Sequence, residues 1–204
     1  MHQNEEILLN QVKKFVEKSF QERLDRDFYF HNLQHTFLVA EGVNLIGEET
    51  GLSSHQRFIL RISAYLHDIG YIEKYIGHEQ ESATIAAHFL ELNGMQDSDI
   101  ELVTGCILST KFPQWPGNIL EEVMCDGDFF HFSQRDYPDY AARLRLEWEH
   151  KLNKTYSDTD WNKLNLAFLK SHDYFTAYGK DTLQKNKDKN IQKLEKGIGS
   201  SSYP

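Results

Sequence analysis

Apolar residues recur at three- and four-residue spacing through most of this chain, and no alternating pattern persists anywhere in it. A helix turns once in about 3.6 residues and gathers such positions onto one face, so the pattern predicts packed helices rather than sheets. Ile7, Leu8, Val12, Phe15, Val16 and Phe20 mark the first helix. A second starts near Asn32 and places Val39, Gly42, Val43 and Ile46 on one face. A third starts at Ser53 or Ser54, either a suitable N-cap, and runs to His67-Asp68, with Gly70 placed to end it. Further helices are expected over 80–93, 97–109, 117–131, 137–153, 159–172 and 173–195, with no internal repeat. KFPQWPGN (111–118) reads as a loop and a candidate pocket rim. The expected fold is a single all-α domain over 1–184, followed by a charged, fraying tail over 185–204.

Three of these helices carry a polar residue where an apolar one belongs. His35 lies four residues before Val39 on the apolar face of the second helix. His67 shares a face with Leu60 and Ala64, and Asp68 lies about 100° further round. Asp128 follows Leu120, Met124 and Gly127 at eight, four and one residues. Leaving any of these buried without a partner costs roughly 1–3 kcal/mol, and more for a charged carboxylate. A lone histidine on an apolar face is more often a hydrogen-bonded core residue than a ligand, so the case rests on the set. Two imidazoles and two carboxylates suit a divalent Mn, Fe, Co, Ni or Zn ion.

The order of these residues is familiar. HxxxH in YFHNLQHT, then LHDIG, then DGDFF resembles the HD-domain metal-dependent phosphohydrolase superfamily, in particular its small bacterial members. The segments GHEQESA, NILEEVMCDGDFF and FLKSHDYFTAYGK add to the resemblance, which covers roughly 28 to 180. It implies an HD-type helical fold and makes His35, His67, Asp68 and Asp128 the ligands of one divalent transition metal, Mg also being admissible. CDGDFF offers a second aspartate, Asp126, but the two lie about 200° apart on a helix and cannot easily serve one ion. The residues after Asp128 match the family pattern, so Asp126 is expected to cap or support.

The implied reaction is hydrolysis of a phosphomonoester or phosphodiester of a nucleotide or other small phosphorylated molecule. A divalent metal lowers the pKa of bound water and polarises the phosphoryl group, and Asp68 is placed to orient that water. In the cyclic-nucleotide phosphodiesterase branch, the first histidine of a similar HNxxH stretch is the general acid, which makes His31 the candidate here. His78 is a candidate for contact with phosphate or with a second metal, or a helix cap. Lys111 is a candidate phosphate clamp. His172 reads as structural, and Glu79, Glu81, Arg143 and Arg145 as surface charges or ion pairs rather than catalysts. The adjacent histidine pair of the two-metal signalling relatives is missing from LVTGCILSTKFPQWP, which favours one metal over two. Two other readings remain: an HD-fold diiron oxygenase, which needs more ligands, and a non-catalytic nucleotide- or metal-binding sensor.

Composition narrows the partners. The 204-residue chain has a formal net charge of -9, which disfavours a nucleic-acid polymer as partner but not a small anion beside a metal. MHQNEEILLN has no basic region before an apolar core, so no signal peptide is expected, and no apolar stretch approaches the ~20 residues of a membrane span. Cys106 and Cys125 form no CxxC pair, as suits a reducing cytoplasm. A homodimer is compatible with a helical domain of this size, but no interface signature marks one.

Overall fold

The computed structural model describes residues 3–200, all of them helix, turn or loop, with no strand. Helices α1 (Gln3–Arg23), α2 (Leu33–Glu49), α3 (Ser54–Leu66), α4 (His78–Leu92), α5 (Asp97–Ser109) and α6 (Ile119–Asp128) pack around one apolar core. Their starts follow local chemistry. Asn32 caps α2 by accepting from the Gln34 N–H, and Ser53 and Gln56 form a reciprocal capping box on α3. Asn118 caps α6 through the N–H groups of Leu120 and Glu121. The α2, α3 and α6 faces foreseen from spacing are the buried ones: Val39, Val43, Ile46, Leu60, Ala64 and Met124 are all but inaccessible.

Beyond the core, α7 (Tyr137–Leu152), α8 (Asp158–Ser171) and α9 (Gln184–Ser200) form a second layer. Phe132, Tyr137 and Leu169 make its small apolar centre, with Phe168, Ile191 and Leu194 against them. No described helix is long and apolar enough to cross a membrane.

The structure corrects the sequence reading in three places. The segment from 185 is no fraying tail over its described length: α9 runs to Ser200 and packs on α8 and on the turn after α6. Lys187 and Asn190 are buried there, and the Asn190 amide donates to the carbonyls of Phe132 and Gln134. Two of the helix's buried positions are polar, which hid its inner face; residues 201–204 lie outside the described part. Helix 173–195 starts late, because the buried Asp126 carboxylate accepts from the N–H groups of Phe175 and Thr176 and from the Thr176 hydroxyl. That pins an extended turn between α8 and α9, and it gives Asp126 the supporting role expected of it.

The third correction concerns Gly70. It does not end α3, which stops at Leu66, but sits in a 3-10 turn, Ile69–Ile72. Its N–H donates to the Ser82 hydroxyl, and a Cβ there would lie 2.2 Å from the His78 carbonyl oxygen and 2.7 Å from the Ser82 nitrogen. The glycine allows α4 to press main chain against the segment carrying Asp68. Gly70→Ala is therefore expected to destabilise the fold by about 1–3 kcal/mol or more, read as a lower guanidinium midpoint with an unchanged slope. An unshifted midpoint would show that the two backbones are not in close contact.

Candidate metal centre

Three helix ends converge on one point. His35 lies in the first turn of α2, His67 and Asp68 follow the last turn of α3, and Asp128 is the last residue of α6. Asn32 holds the entry to α2 by donating to the carbonyls of Phe28 and Tyr29. Gly127 lets α6 lie against α2, since a Cβ there would meet the Val43 side chain at 2.4 Å. That close approach carries Asp128 to within 3.3 Å of His35.

The donor atoms face one another. His35 Nε2 and His67 Nε2 are 3.4 Å apart. Asp68 Oδ2 is 3.2 Å from His67 Nε2 and 3.6 Å from His35 Nε2, and Asp128 Oδ1 is 3.6 Å from His67 Nε2. One donor atom each from His35, His67 and Asp128 falls within 4.8 Å of the others, close enough for a single ion. The His67 Nδ1–H donates to the Ala64 carbonyl at 2.8 Å, which turns the Nε2 lone pair into the cluster. Asp68 Oδ2 is fully buried without a hydrogen-bond donor. Both carboxylates sit at helix C-termini, where the backbone dipole disfavours negative charge.

The cluster therefore calls for a positive charge. Burial opposes ionisation of Asp68, but the His67 charge, supported by His31 and His35, holds its carboxyl well below the usual range. Burial likewise opposes the Asp128 charge and is outweighed by hydrogen bonds from His35 and His67. Burial would lower the His67 pKa, yet Asp68 and Asp128 raise it well above the ordinary imidazole value. A proton on His67 or a divalent cation can meet this demand, and two imidazoles with two carboxylates fit a divalent transition metal.

His31 stands beside the cluster, its ring centroid 5.7 Å from that of His35. Its Nδ1 is hydrogen-bonded to Glu147 Oε1, whose side chain is wholly buried on α7. The other Glu147 oxygen accepts from the N–H groups of Phe30, at 2.8 Å, and His31, at 3.0 Å. Tyr75 donates to Oε1 at 3.0 Å. Burial opposes protonation of His31, but the Glu147 charge and hydrogen bond prevail and raise its pKa. Fixing Nδ1 in this way leaves Nε2 to meet a ligand.

Residues 32–124 match the family model described as the HD domain. The likeness to the HD domain covers a little under half of the chain. The matched span includes His35, His67 and Asp68, while His31, Asp128 and Glu147 lie outside it and are joined to it by the tertiary structure. A crystal structure described as that of a "predicted HD superfamily hydrolase" from an uncultured Thermotogales bacterium has a similar fold, with a TM-score of 0.66 over 95% of this chain and 92% of that one. At 16% identity the likeness is one of fold. No curated protein matches the chain in sequence.

The remaining candidate residues are placed unequally. His78, the first residue of α4, stacks on Tyr71, with its Nδ1 3.2 Å from the Tyr75 carbonyl and its Nε2 3.5 Å from Asp68 Oδ1. It forms a wall of the centre. Lys111 is exposed and lines no part of the cavity that its neighbours Thr110 and Phe112 border. We expect Lys111→Ala to leave the affinity for inorganic phosphate within about twofold of the parent, since substitutions away from buried features shift energies by only about ±0.5 kcal/mol; a tenfold loss of affinity would restore Lys111 as a clamp. The 111–118 loop does reach the site, through Gln114, whose amide lies 3.5 Å from Asp128 Oδ2.

Glu79 borders the cavity, its carboxylate 3.7 Å from His78 Nδ1. Glu81 pairs with Lys74 at 2.8 Å and Arg145 with Asp158 at 2.7 Å, while Arg143 donates to Gln34. His172 is structural: buried Lys187 donates to its carbonyl, and its ring packs among Phe129, Phe132 and Tyr174. Two residues were missed. Glu147 lies in EWEHK, which reads as an exposed polar helix, and carried no signal. His131, three residues after Asp128, was visible in DGDFFH. Burial and the neighbouring His35 push its pKa down to about 3, so it is a neutral ring in the cavity wall.

Proposed function

We propose that this chain is a metal-dependent phosphohydrolase in which His35, His67, Asp68 and Asp128 hold one divalent transition metal. The observation that carries the reading is the convergence of two imidazole nitrogens and two carboxylate oxygens at 3.2–3.6 Å, one of those oxygens buried without a donor. When bound, the metal supplies Lewis acidity and lowers the pKa of water toward neutrality. Asp68 orients the attacking water. His31, steadied through Nδ1 by Glu147, gives its proton to the leaving oxygen as the P–O bond breaks. His78 stands on the Asp68 side of the site, where it contacts phosphate.

The neighbour described as an HD superfamily hydrolase supports the hydrolase class by likeness of fold. The buried free thiols of Cys106 and Cys125 support a reducing, cytoplasmic setting. The test is a panel of phosphomonoesters and phosphodiesters assayed with Mn, Fe, Co, Ni, Zn or Mg. Turnover that requires metal and disappears in His67→Ala supports the reading. Stoichiometric metal with no turnover of any ester favours the sensor.

A further inference from the structure

The metal centre opens into a cavity of about 840 Å³ whose wall includes Asp68 and Asp128. From there it runs along the turn after α6 toward α7 and α8, between Tyr71, Phe129, Leu144, Trp148, Leu164 and Phe168. Ile76 and Phe112, 80% and 59% exposed, extend this apolar lining to solvent.

Its wall carries polar rings, three histidines and four tyrosines among them, but little positive charge. Lys154 is the one Lys or Arg among the lining residues, and its amine rests over the Trp148 ring. Asp68, Glu79 and Asp128 border the same space, so a second or third phosphate would meet carboxylates with little cationic help. The wall's amide and aliphatic hydroxyl side chains are already hydrogen-bonded within the protein. Asn165 accepts from Tyr137 and donates to the Trp161 carbonyl, Thr110 donates to the Ile107 carbonyl, and Ser171 to the Phe168 carbonyl. A sugar or a base edge bound there would lose its hydrogen bonds to water and gain few in return.

We propose that this cavity holds the leaving group of the substrate, and that the substrate is a single-phosphate ester of a hydrophobic alcohol, alkyl or aryl, rather than a nucleoside polyphosphate. This rests on the phosphohydrolase reading above. In the reaction a water oxygen bonds to phosphorus, the P–O bond to the alcohol breaks, and the leaving oxygen takes the His31 proton. One water proton stays on the phosphate product, the other passes to solvent, from which His31 is reprotonated, and the freed alcohol stays among apolar walls until release.

The test uses non-hydrolysable probes on the metal-loaded protein: ethyl-, hexyl-, decyl- and phenylphosphonate, with ATP and a nucleoside 5′-phosphonate for comparison. Binding is read from the fluorescence of Trp148 and Trp161, which line the cavity, against Trp115, which is 91% exposed. Affinity should rise by about fourfold for each added methylene that is buried, with the nucleotides weakest. Leu144→Lys should flatten the series, and Ala141→Trp, which fills the cavity, should cut it short at hexyl; metal content and helicity equal to the parent's establish that each variant is folded. A flat series in the parent, or tighter binding of ATP than of decylphosphonate, would overturn the inference and leave the phosphohydrolase reading standing. Failure of every phosphonate to bind a metal-loaded protein would overturn both.

Discussion

Replacing His67 or Asp68 with alanine is expected to strip the bound metal and lower phosphoester turnover by at least about a thousandfold. Each side chain contributes to the cluster, where Asp68 Oδ2 lies 3.2 Å from His67 Nε2 and is buried without a hydrogen-bond partner. Lewis-acid stabilisation is worth several kcal/mol in such sites, and about 1.4 kcal/mol corresponds to a tenfold change in rate. The parent, purified without a His-tag or chelator, should carry about one equivalent of transition metal per chain and each variant none. Asp68→Asn keeps the side-chain volume while removing the charge, and so separates loss of ligation from loss of packing. Two irons per chain would move the assignment to the diiron oxygenase. A parent that takes up no metal even on reconstitution, with both variants folded, would make the pair structural and end the functional reading.

The second large effect is expected at His31 and Glu147. His31→Ala should lower kcat by about 10²- to 10⁴-fold for esters of poor leaving groups, and far less for p-nitrophenyl esters, whose leaving oxygen needs no proton. A general acid works in its protonated form. Glu147 raises the His31 pKa against the effect of burial, so activity should persist above the ordinary imidazole range near about 6.5. Glu147→Gln removes that charge, lowers the His31 pKa and should move the alkaline limb of the pH–rate profile to lower pH. His31→Ala should abolish that limb. A uniform rate loss in Glu147→Gln with the limb unmoved would reduce Glu147 to a brace for the backbone of Phe30 and His31.

The same pair shows why part of the site was hidden. His31 could be singled out because it stands four residues before His35, one helical turn from a ligand. Glu147 lies 116 residues from His31 in the chain, ahead of Trp148, Glu149 and His150 on a helix that reads as polar. Its burial is a property of how α7 closes over the loop before α2, which no local pattern records. Lys111 is the converse case: its neighbours reach the cavity, but nothing in one residue's type reveals that its own side chain faces water.

The all-α architecture, the helix starts near Asn32 and at Ser53 or Ser54, and the inward faces of α2, α3 and α6 were determined by the sequence itself. Helical periodicity and capping are local, acting over one or two turns. The sequence also named His35, His67, Asp68 and Asp128, because polar residues on apolar faces stand out against that periodicity. Their meeting at 3.2–3.6 Å was decided only by tertiary structure. So were the docking of α9 through buried Lys187 and Asn190, the shelter of Glu147 and the apolar cavity beside the centre. A period tells which face of a helix is buried but not which distant helix covers it. That is settled by close approaches such as Gly127 on Val43 and Gly70 on His78, where backbones meet because a side chain is absent.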